Sequence, residues 1–253
     1  MLNVNKLDVL KTALNDRNRA DNFLFLKTVG WLRTHMPEVD ALWDCRQNPK
    51  WHPEGSVGNH TYLLLKGLSK KAPFLLSLAG MLHDVGKPVT TGLGNDGAVH
   101  SYQHEKVGAK IAKSLCKSLG LDEKSTELVK WLVRSHMQFN NVIQMREAKL
   151  RVFLNQPYVE LLLELHNADR KSSNGDLQEY NFCKEKLEYF KANPPQEKRE
   201  RKLLISGSDL ISAGVLPGPE IGVILNEVAK AQAAGVVKTA EEALKFAIST
   251  RGE

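Results

Sequence analysis

The chain has 253 residues, of which 42% are hydrophobic, so it is long enough for one large domain or for one medium domain with a small appendage. No apolar run approaches the ~20 residues that span a bilayer, and the first twenty residues lack the apolar core of a signal peptide. We therefore expect a cytoplasmic protein that does not associate with a membrane. The net charge of +6 suits an anionic partner such as a nucleotide or RNA, although charge alone favours a slightly basic protein without nucleic-acid contact.

Most of the chain shows the spacing of apolar residues that is typical of helices. Alternating runs rich in Val, Ile and Thr are nearly absent, so a sheet is not expected. A first helix carries Leu7, Leu10 and Leu14 on one face, and the apolar residues 23–32 predict a second. Further helices are predicted over residues 57–69, 73–85, 103–119, 122–136, 158–169 and 177–190. The glycine-rich residues 90–100 predict a loop, as do residues 48–55 with their two prolines.

The clearest linker is KANPPQEKRERK, residues 191–202, which has a Pro-Pro break and no apolar period. We place a domain boundary near residue 197, with a larger domain over residues 1–197 and a small helical module over residues 198–253. In the module, Pro219 opens a helix, and Thr239 with Glu242 forms a capping box for the last one. The predicted fold class is therefore all-α.

Histidines and acids recur at predicted helix ends. His83 and Asp84 are adjacent at one such end, His60 lies one helix upstream, and Asp169 ends a later apolar helix. His104 and His136 lie on the helices between them. Each residue also has a plainer interpretation, such as a core histidine at His136. Together they form a set of nitrogen and oxygen donors that suits zinc, manganese, iron or nickel. The three cysteines are far apart and form no CxxC pair, which argues against a disulfide framework or a thiolate zinc site.

This order of residues resembles the HD superfamily of metal-dependent phosphohydrolases. The stretches NPKWHPEGSVGNHT, LAGMLHDVGKP, HSYQHEKVGAKIA and ELHNADRKSSNG are similar to the HD domain of bacterial CCA-adding tRNA nucleotidyltransferases. The tail SGSDLISAGVLPGPEIGVILNEVAKAQAAGVVKTAEEAL is similar to the segment that follows that domain in some members. The resemblance implies an HD-type helical bundle.

The resemblance also implies the roles of individual residues. Metal ligation falls to His60, His83, Asp84 and Asp169, with Asp84 bridging if two divalent ions bind. His104 and His136 would hold a second ion, or contact phosphate if only one binds. We assign Asp84, Lys87 and His104 to catalysis, and His100 and Lys87 to substrate binding. A solvated lysine and an exposed loop histidine remain the alternatives for Lys87 and His100. We expect His52 and Glu54 to shape their loop, and we interpret His35, Trp51 and His166 as structural.

The departure from the resemblance concerns the nucleotidyltransferase head. The sequence contains no Gly-Gly pair and no Asp-x-Asp element, so nucleotide addition by this chain alone is not expected. The function that we then expect is hydrolysis of phosphoesters of nucleotides or RNA ends, such as 2′,3′-cyclic phosphates. The alternatives are a nucleotidase that acts on free nucleotides and a non-catalytic RNA-binding body that works with a separate head protein.

Overall fold

The computed structural model describes residues 5–95, 97–194 and 203–249, and helices make up most of them. The chain divides into two compact units, residues 1–193 and 194–253. The domain boundary predicted near residue 197 lies outside the described residues.

Helices α1 to α12 belong to the larger unit. Their bounds are Lys6–Asn15, Arg19–Thr28, Trp31–His35, Pro37–Asp40, Val57–Gly67, Phe74–Leu82, Lys87–Thr90, His104–Ser118, Glu123–Ser135, Glu147–Leu154, Val159–Ser172 and Gln178–Ala192. Short 3₁₀ turns at Ala41–Trp43 and His136–Asn141 follow α4 and α9. The all-α prediction is confirmed.

Helix α6 lies at the centre of the larger unit. Its segment Leu76 to Leu82 is buried throughout, and it contacts α1, α5, α9 and α11. A helix that is apolar on all sides is stable only where neighbours cover every face, because each exposed apolar side would lose its burial energy. Helix α5 packs against α11, and α8 packs against α9. Helix α6 is therefore covered by four other helices.

Two sequence predictions differ from the structure. The predicted loop at residues 90–100 contains a two-stranded antiparallel hairpin, in which β1 (Thr91–Leu93) pairs with β2 (Val99–Ser101). The strands are only three residues long, so they are too short for an alternating pattern to be recognised. The second predicted helix is divided in two, because Gly30 has a φ of +73° between α2 and α3.

The smaller unit has helices α13 (Gly207–Ser212), α14 (Glu220–Ala233) and α15 (Ala240–Ser249). Its core is separate from that of the larger unit and includes Leu210 and Val228. The predicted cap at Thr239 is present, since its hydroxyl accepts the amide of Glu242. The Glu242 carboxylate reaches back to the amide of Lys238, one residue before the position expected in a capping box. None of the described helices combines the length and apolar character required to span a membrane.

Candidate metal centre

Five segments bring six side chains to one place. His60 is in α5, and His83 and Asp84 follow the last residue of α6. His104 is the first residue of α8, and His136 begins the 3₁₀ turn after α9. Asp169 does not end its helix as predicted, because α11 continues to Ser172, but it lies in the last turn. All six predicted ligands are therefore close together, although they span more than a hundred positions in the sequence.

The donor atoms form two groups that share Asp84. In the first group, Nε2 of His60 lies 2.8 Å from Oδ1 of Asp169, and Nε2 of His83 lies 3.1 Å from Oδ2 of Asp84. In the second group, Oδ1 of Asp84 lies 3.2 Å from Nε2 of His104 and 3.7 Å from Nε2 of His136. Each oxygen of Asp84 thus faces a different pair of histidines.

Main-chain carbonyls fix three of the imidazole rings. Nδ1 of His83 donates to the carbonyl of Gly80 at 2.8 Å. His104 and His136 donate in the same way to the carbonyls three residues before them, Ser101 at 2.8 Å and Val133 at 2.7 Å. A carbonyl oxygen only accepts, so each Nδ1 carries a proton, and the neutral form of each ring presents Nε2 as a lone pair. Nε2 of each of these three rings faces the carboxylate of Asp84.

Glu54 fixes the fourth ring. Its Oε1 accepts hydrogen bonds from Nδ1 of His60 at 2.7 Å and from Nδ1 of His52 at 2.8 Å. The Glu54 side chain is only 6% exposed. The expectation that His52 and Glu54 shape the loop fits these contacts. In addition, the carboxylate supports a candidate ligand, a role that we did not derive from the sequence.

The distances and the unpaired atoms fit a divalent cation. Neighbouring ligand atoms bound to one ion at about 2.0–2.2 Å lie about 2.8–3.6 Å apart, and opposite ones about 4.0–4.4 Å apart. The pairs His60–Asp84 and His83–Asp169 are both 4.0 Å apart. Within the described chain, Nε2 of His83 is buried and makes no hydrogen bond of acceptable geometry. Buried polar atoms without partners are costly, and a bound cation would satisfy them.

A second contact supports the same conclusion. Nε2 of His104 and Nε2 of His136 lie 3.2 Å apart, and in the neutral form of each ring this atom is a lone pair. Two lone pairs at this distance repel each other unless a cation or a proton lies between them. Burial lowers the pKa of His136 to about 3, so this ring stays neutral.

The acidic groups remain charged despite their burial. Burial disfavours the charged form of Asp84, but the neighbouring His83 and Lys87 outweigh it and hold its pKa well below the usual range. The pKa of Asp169 is also lowered, since hydrogen bonding to His60 outweighs burial. Burial acts against protonation of His60, yet Asp169 and Glu54 raise its pKa to about 9. In the metal-free protein, a proton therefore occupies the position that an ion would take.

Lys87 is held against the centre and is not a freely solvated lysine. Its Nζ lies 2.7 Å from Oδ2 of Asp84 and donates to Oε1 of Gln47 at 2.7 Å. The side chain is 12% exposed and still lines the cleft beside the acids. A cation at this position lowers the energy of an anion that approaches Asp84.

A cleft of about 480 Å³ opens over the candidate centre. Asp84, His104, His136 and Asp169 line its floor, and His100 also lines it. Trp51 was interpreted as structural from the sequence, but it lines the cleft and is 54% exposed. His166 is buried and stacks on Phe139, with ring centroids 4.4 Å apart, as expected for a core residue.

Sequence reasoning missed several residues around the cleft. Gln47, Asn140, Arg170 and Tyr102 all line it. Arg170 directly follows Asp169, so its position was the one signal that the sequence offered. The other three come from a loop, a 3₁₀ turn and a hairpin end, where no periodicity indicates which side chains meet.

The family comparison agrees with this geometry. Residues 56–171 match the model of the HD domain, and this range includes all six candidate ligands. Residues 56–171 form an HD domain. HD domains are a fold of metal-dependent hydrolases that bind divalent metals. Glu54 and Gln47 lie before the matched range, so they add to the HD domain from the preceding loop.

Curated relatives of the chain are tRNA nucleotidyltransferases. The CC-adding tRNA nucleotidyltransferase of Thermus thermophilus is 33% identical over 98% of this chain and 56% of its own length. The A-adding tRNA nucleotidyltransferase of Deinococcus radiodurans is 30% identical over 94% of the chain and 56% of its own length. The multifunctional CCA protein of Burkholderia orbicola is 30% identical over 62% of the chain and 40% of its own length. The chain thus spans about half the length of the first two relatives, and the match includes both the HD domain and the smaller unit.

Proposed function

We propose that the chain is a metal-dependent phosphohydrolase that cleaves phosphoesters of nucleotides or RNA ends, such as 2′,3′-cyclic phosphates. One observation carries the proposal. The buried Nε2 atom of His83 has no hydrogen-bond partner in the described chain, and together with Nε2 of His60 it faces Asp84 and Asp169, which line an open cleft. A purely structural cluster would leave Nε2 of His83 unsatisfied at a cost in stability.

We assign metal binding to His60, His83, Asp84 and Asp169, and a second ion, or phosphate contact, to His104 and His136. The bound ion would supply Lewis-acid polarisation of the phosphoryl oxygens and a lower pKa for an attacking water. Asp84 shares its two oxygens between the two donor groups and so fixes their separation. Lys87 attracts a phosphate oxygen to the cleft and stabilises negative charge that develops there. His104 lines the cleft and acts in catalysis together with Asp84 and Lys87. His100 contacts the substrate from the hairpin.

RNA as a substrate is supported by the relatives, whose names refer to tRNA and whose matches extend over nearly the whole chain. The same matches favour the alternative of a non-catalytic RNA-binding body. The two functions differ in one measurable respect, because a binding body holds RNA without cleaving any phosphoester.

The direct test combines metal analysis of the purified chain with a phosphodiesterase screen. We expect about one or two divalent ions per chain and metal-dependent cleavage of nucleoside 2′,3′-cyclic phosphates. RNA binding without any metal-dependent cleavage would favour the binding body instead.

The variant that tests the proposed role of Asp84 is Asp84→Ala. We expect hydrolysis to fall to background, because the change removes both oxygens that link the two donor groups, while circular dichroism remains helical because the apolar core is untouched. Asp44→Ala, an exposed acid that does not line the cleft, is the control and should keep its activity. Normal turnover in the Asp84 variant would contradict the assignment.

A further inference from the structure

Exposed aromatic side chains stand at the cleft above the candidate metal centre. Trp51 is 54% exposed and Tyr102 is 69% exposed, and both line the cleft together with Asp84 and Asp169. They come from different segments, the loop before α5 and the turn between β2 and α8. Large aromatic surface left in water at the mouth of a polar site indicates a ligand with a flat apolar face.

The contrast with the other tryptophans shows that Trp51 is unusual in this protein. Trp31, Trp43 and Trp131 are partly buried and pack against the core of the larger unit. Trp51 is absent from that core, and its ring contacts Lys50, whose Nζ lies 5.0 Å from the ring centroid. Packing therefore explains the first three residues and leaves the position of Trp51 unexplained.

The ring of Tyr102 is held in place before any ligand binds. It stacks on His100 with ring centroids 5.2 Å apart and an angle of 12° between the planes. His100 belongs to β2, which pairs with β1, so the hairpin supports the stacked pair. A pre-oriented ring loses little conformational entropy when a flat ligand stacks on it.

The size and chemistry of the cleft fit a nucleoside. Its volume of about 480 Å³ falls in the range of small-molecule sites, roughly 300–1,000 Å³, and exceeds what a phosphoryl group alone occupies. The amide side chains of Asn48 and Asn140 also line it and offer both donors and acceptors for the edge of a base.

We infer that Trp51 and Tyr102 form a base-stacking wall, defined by these two residues, that binds the nucleobase of a phosphoester whose phosphate lies at the metal centre. The inference rests on the proposed function, because it names the substrate class of the same cleft. The substrates are then nucleoside phosphates or RNA ends with an unpaired terminal base, and sugar phosphates without a base are poor ligands. Stacking is tolerant of base identity, so all four bases should be accepted.

Binding and hydrolysis test the wall separately. We would titrate the full-length, metal-loaded protein with adenosine 2′-monophosphate and with ribose phosphate, and measure cleavage of adenosine 2′,3′-cyclic phosphate and of its base-free methyl riboside analogue. Trp51→Ala should weaken binding of the adenosine compound about 5- to 150-fold, since stacking contributes about that factor per base. Binding of ribose phosphate should not change, and Trp51→Phe should retain most of the affinity. Tyr102→Ala should behave like Trp51→Ala.

The control is Tyr189→Ala, which removes an aromatic ring that is 48% exposed outside the cleft and should affect neither ligand. Equal binding of adenosine phosphate and ribose phosphate by the wild type would overturn the proposal. An equal loss of affinity for both ligands in Trp51→Ala would also overturn the proposal. If base-dependent binding is found but neither cyclic phosphate is cleaved, the wall stands and the hydrolase assignment fails.

Discussion

Glu54 is the side chain on which the orientation of His60 depends. It accepts the Nδ1 protons of His60 and His52 through one oxygen, and it stays ionised because these hydrogen bonds outweigh burial and lower its pKa to about 2. A carboxylate behind a metal-binding histidine fixes the ring and makes it a stronger ligand. Glu54 is therefore a positioning residue for the proposed metal centre.

We expect Glu54→Gln to reduce metal affinity by about 10- to 100-fold, the usual effect of removing such a partner. Competition with a chromophoric chelator at fixed pH measures the change. Glu188→Gln, at a carboxylate that is 72% exposed, serves as the control and should bind as the wild type does. Unaltered affinity in the Glu54 variant would show that His60 keeps its orientation without this carboxylate, or is not a ligand.

The residues of the candidate centre were within reach of sequence reasoning because their chemistry is visible in their type and order. His83 and Asp84 stand together, and His60, His104, His136 and Asp169 recur at helical positions. Their supporting residues were not accessible in this way. Gln47 and Glu54 are common polar residues in a loop, and only the fold shows that they contact Lys87 and His60.

At the scale of elements, the close approach of α7 and α8 places His104 next to Asp84. Gly86 lies two residues after Asp84, and a Cβ there would meet the carbonyl of His104 and lie 2.6 Å from the amide nitrogen of Gly108. Both atoms belong to the backbone and cannot rotate away. The glycine is needed for this contact and not for its own conformation, since its φ of −79° is open to any residue.

Gly86→Ala should therefore push α8 away from the centre. We expect a loss of about 1–3 kcal/mol in the free energy of unfolding, as for other overpacked sites, together with weaker metal binding. Thermal or urea unfolding measures the first effect and chelator competition the second. Gly92→Ala is the matched control, because no atom lies within 4 Å of a Cβ at that position. Equal stability of the two variants would show that α8 can move away from residue 86 without a loss in the free energy of unfolding.

The presence of the helices could be predicted from the spacing of apolar residues, whereas two local features could not be predicted. The division of α2 from α3 depends on the left-handed conformation of Gly30, and a glycine within an apolar pattern does not reveal its φ. The hairpin at Thr91–Leu93 and Val99–Ser101 is held by pairing between strands too short for a periodic signal.

At the scale of the whole molecule, the candidate ligands belong entirely to the larger unit, and the smaller unit has its own core. An ion that binds only the folded larger unit stabilises it by about 2.7 kcal/mol at a hundred times its Kd. For a unit of this size we expect that to raise its Tm by roughly 5–10 °C. Calorimetry with and without a chelator should show a metal-dependent transition and a second one that does not move. A shift of both, or persistence of the shift in Asp84→Ala, would contradict this.

The role of the smaller unit can be tested by ending the chain at residue 197. We propose that this unit helps to hold RNA, and that the basic segment 198–202, which lies outside the described residues, contributes to phosphate contact. Cleavage of a small chromogenic phosphodiester should then survive truncation, while cleavage of RNA falls and depends less on salt. If both activities fall equally and the Tm drops, the unit serves only to stabilise its neighbour.

The carbonyls that hold three of the histidine rings determine how the centre tolerates substitutions at the neighbouring positions. Every amino acid supplies a carbonyl, so replacing Gly80, Ser101 or Val133 changes a side chain without removing the acceptor for His83, His104 or His136. His60 differs, because the polar atoms beside its Nδ1 belong to side chains, Glu54 at 2.7 Å and Ser172 at 3.3 Å. Substitutions that spare the four histidines should therefore disturb the orientation of His60 before that of the other three rings.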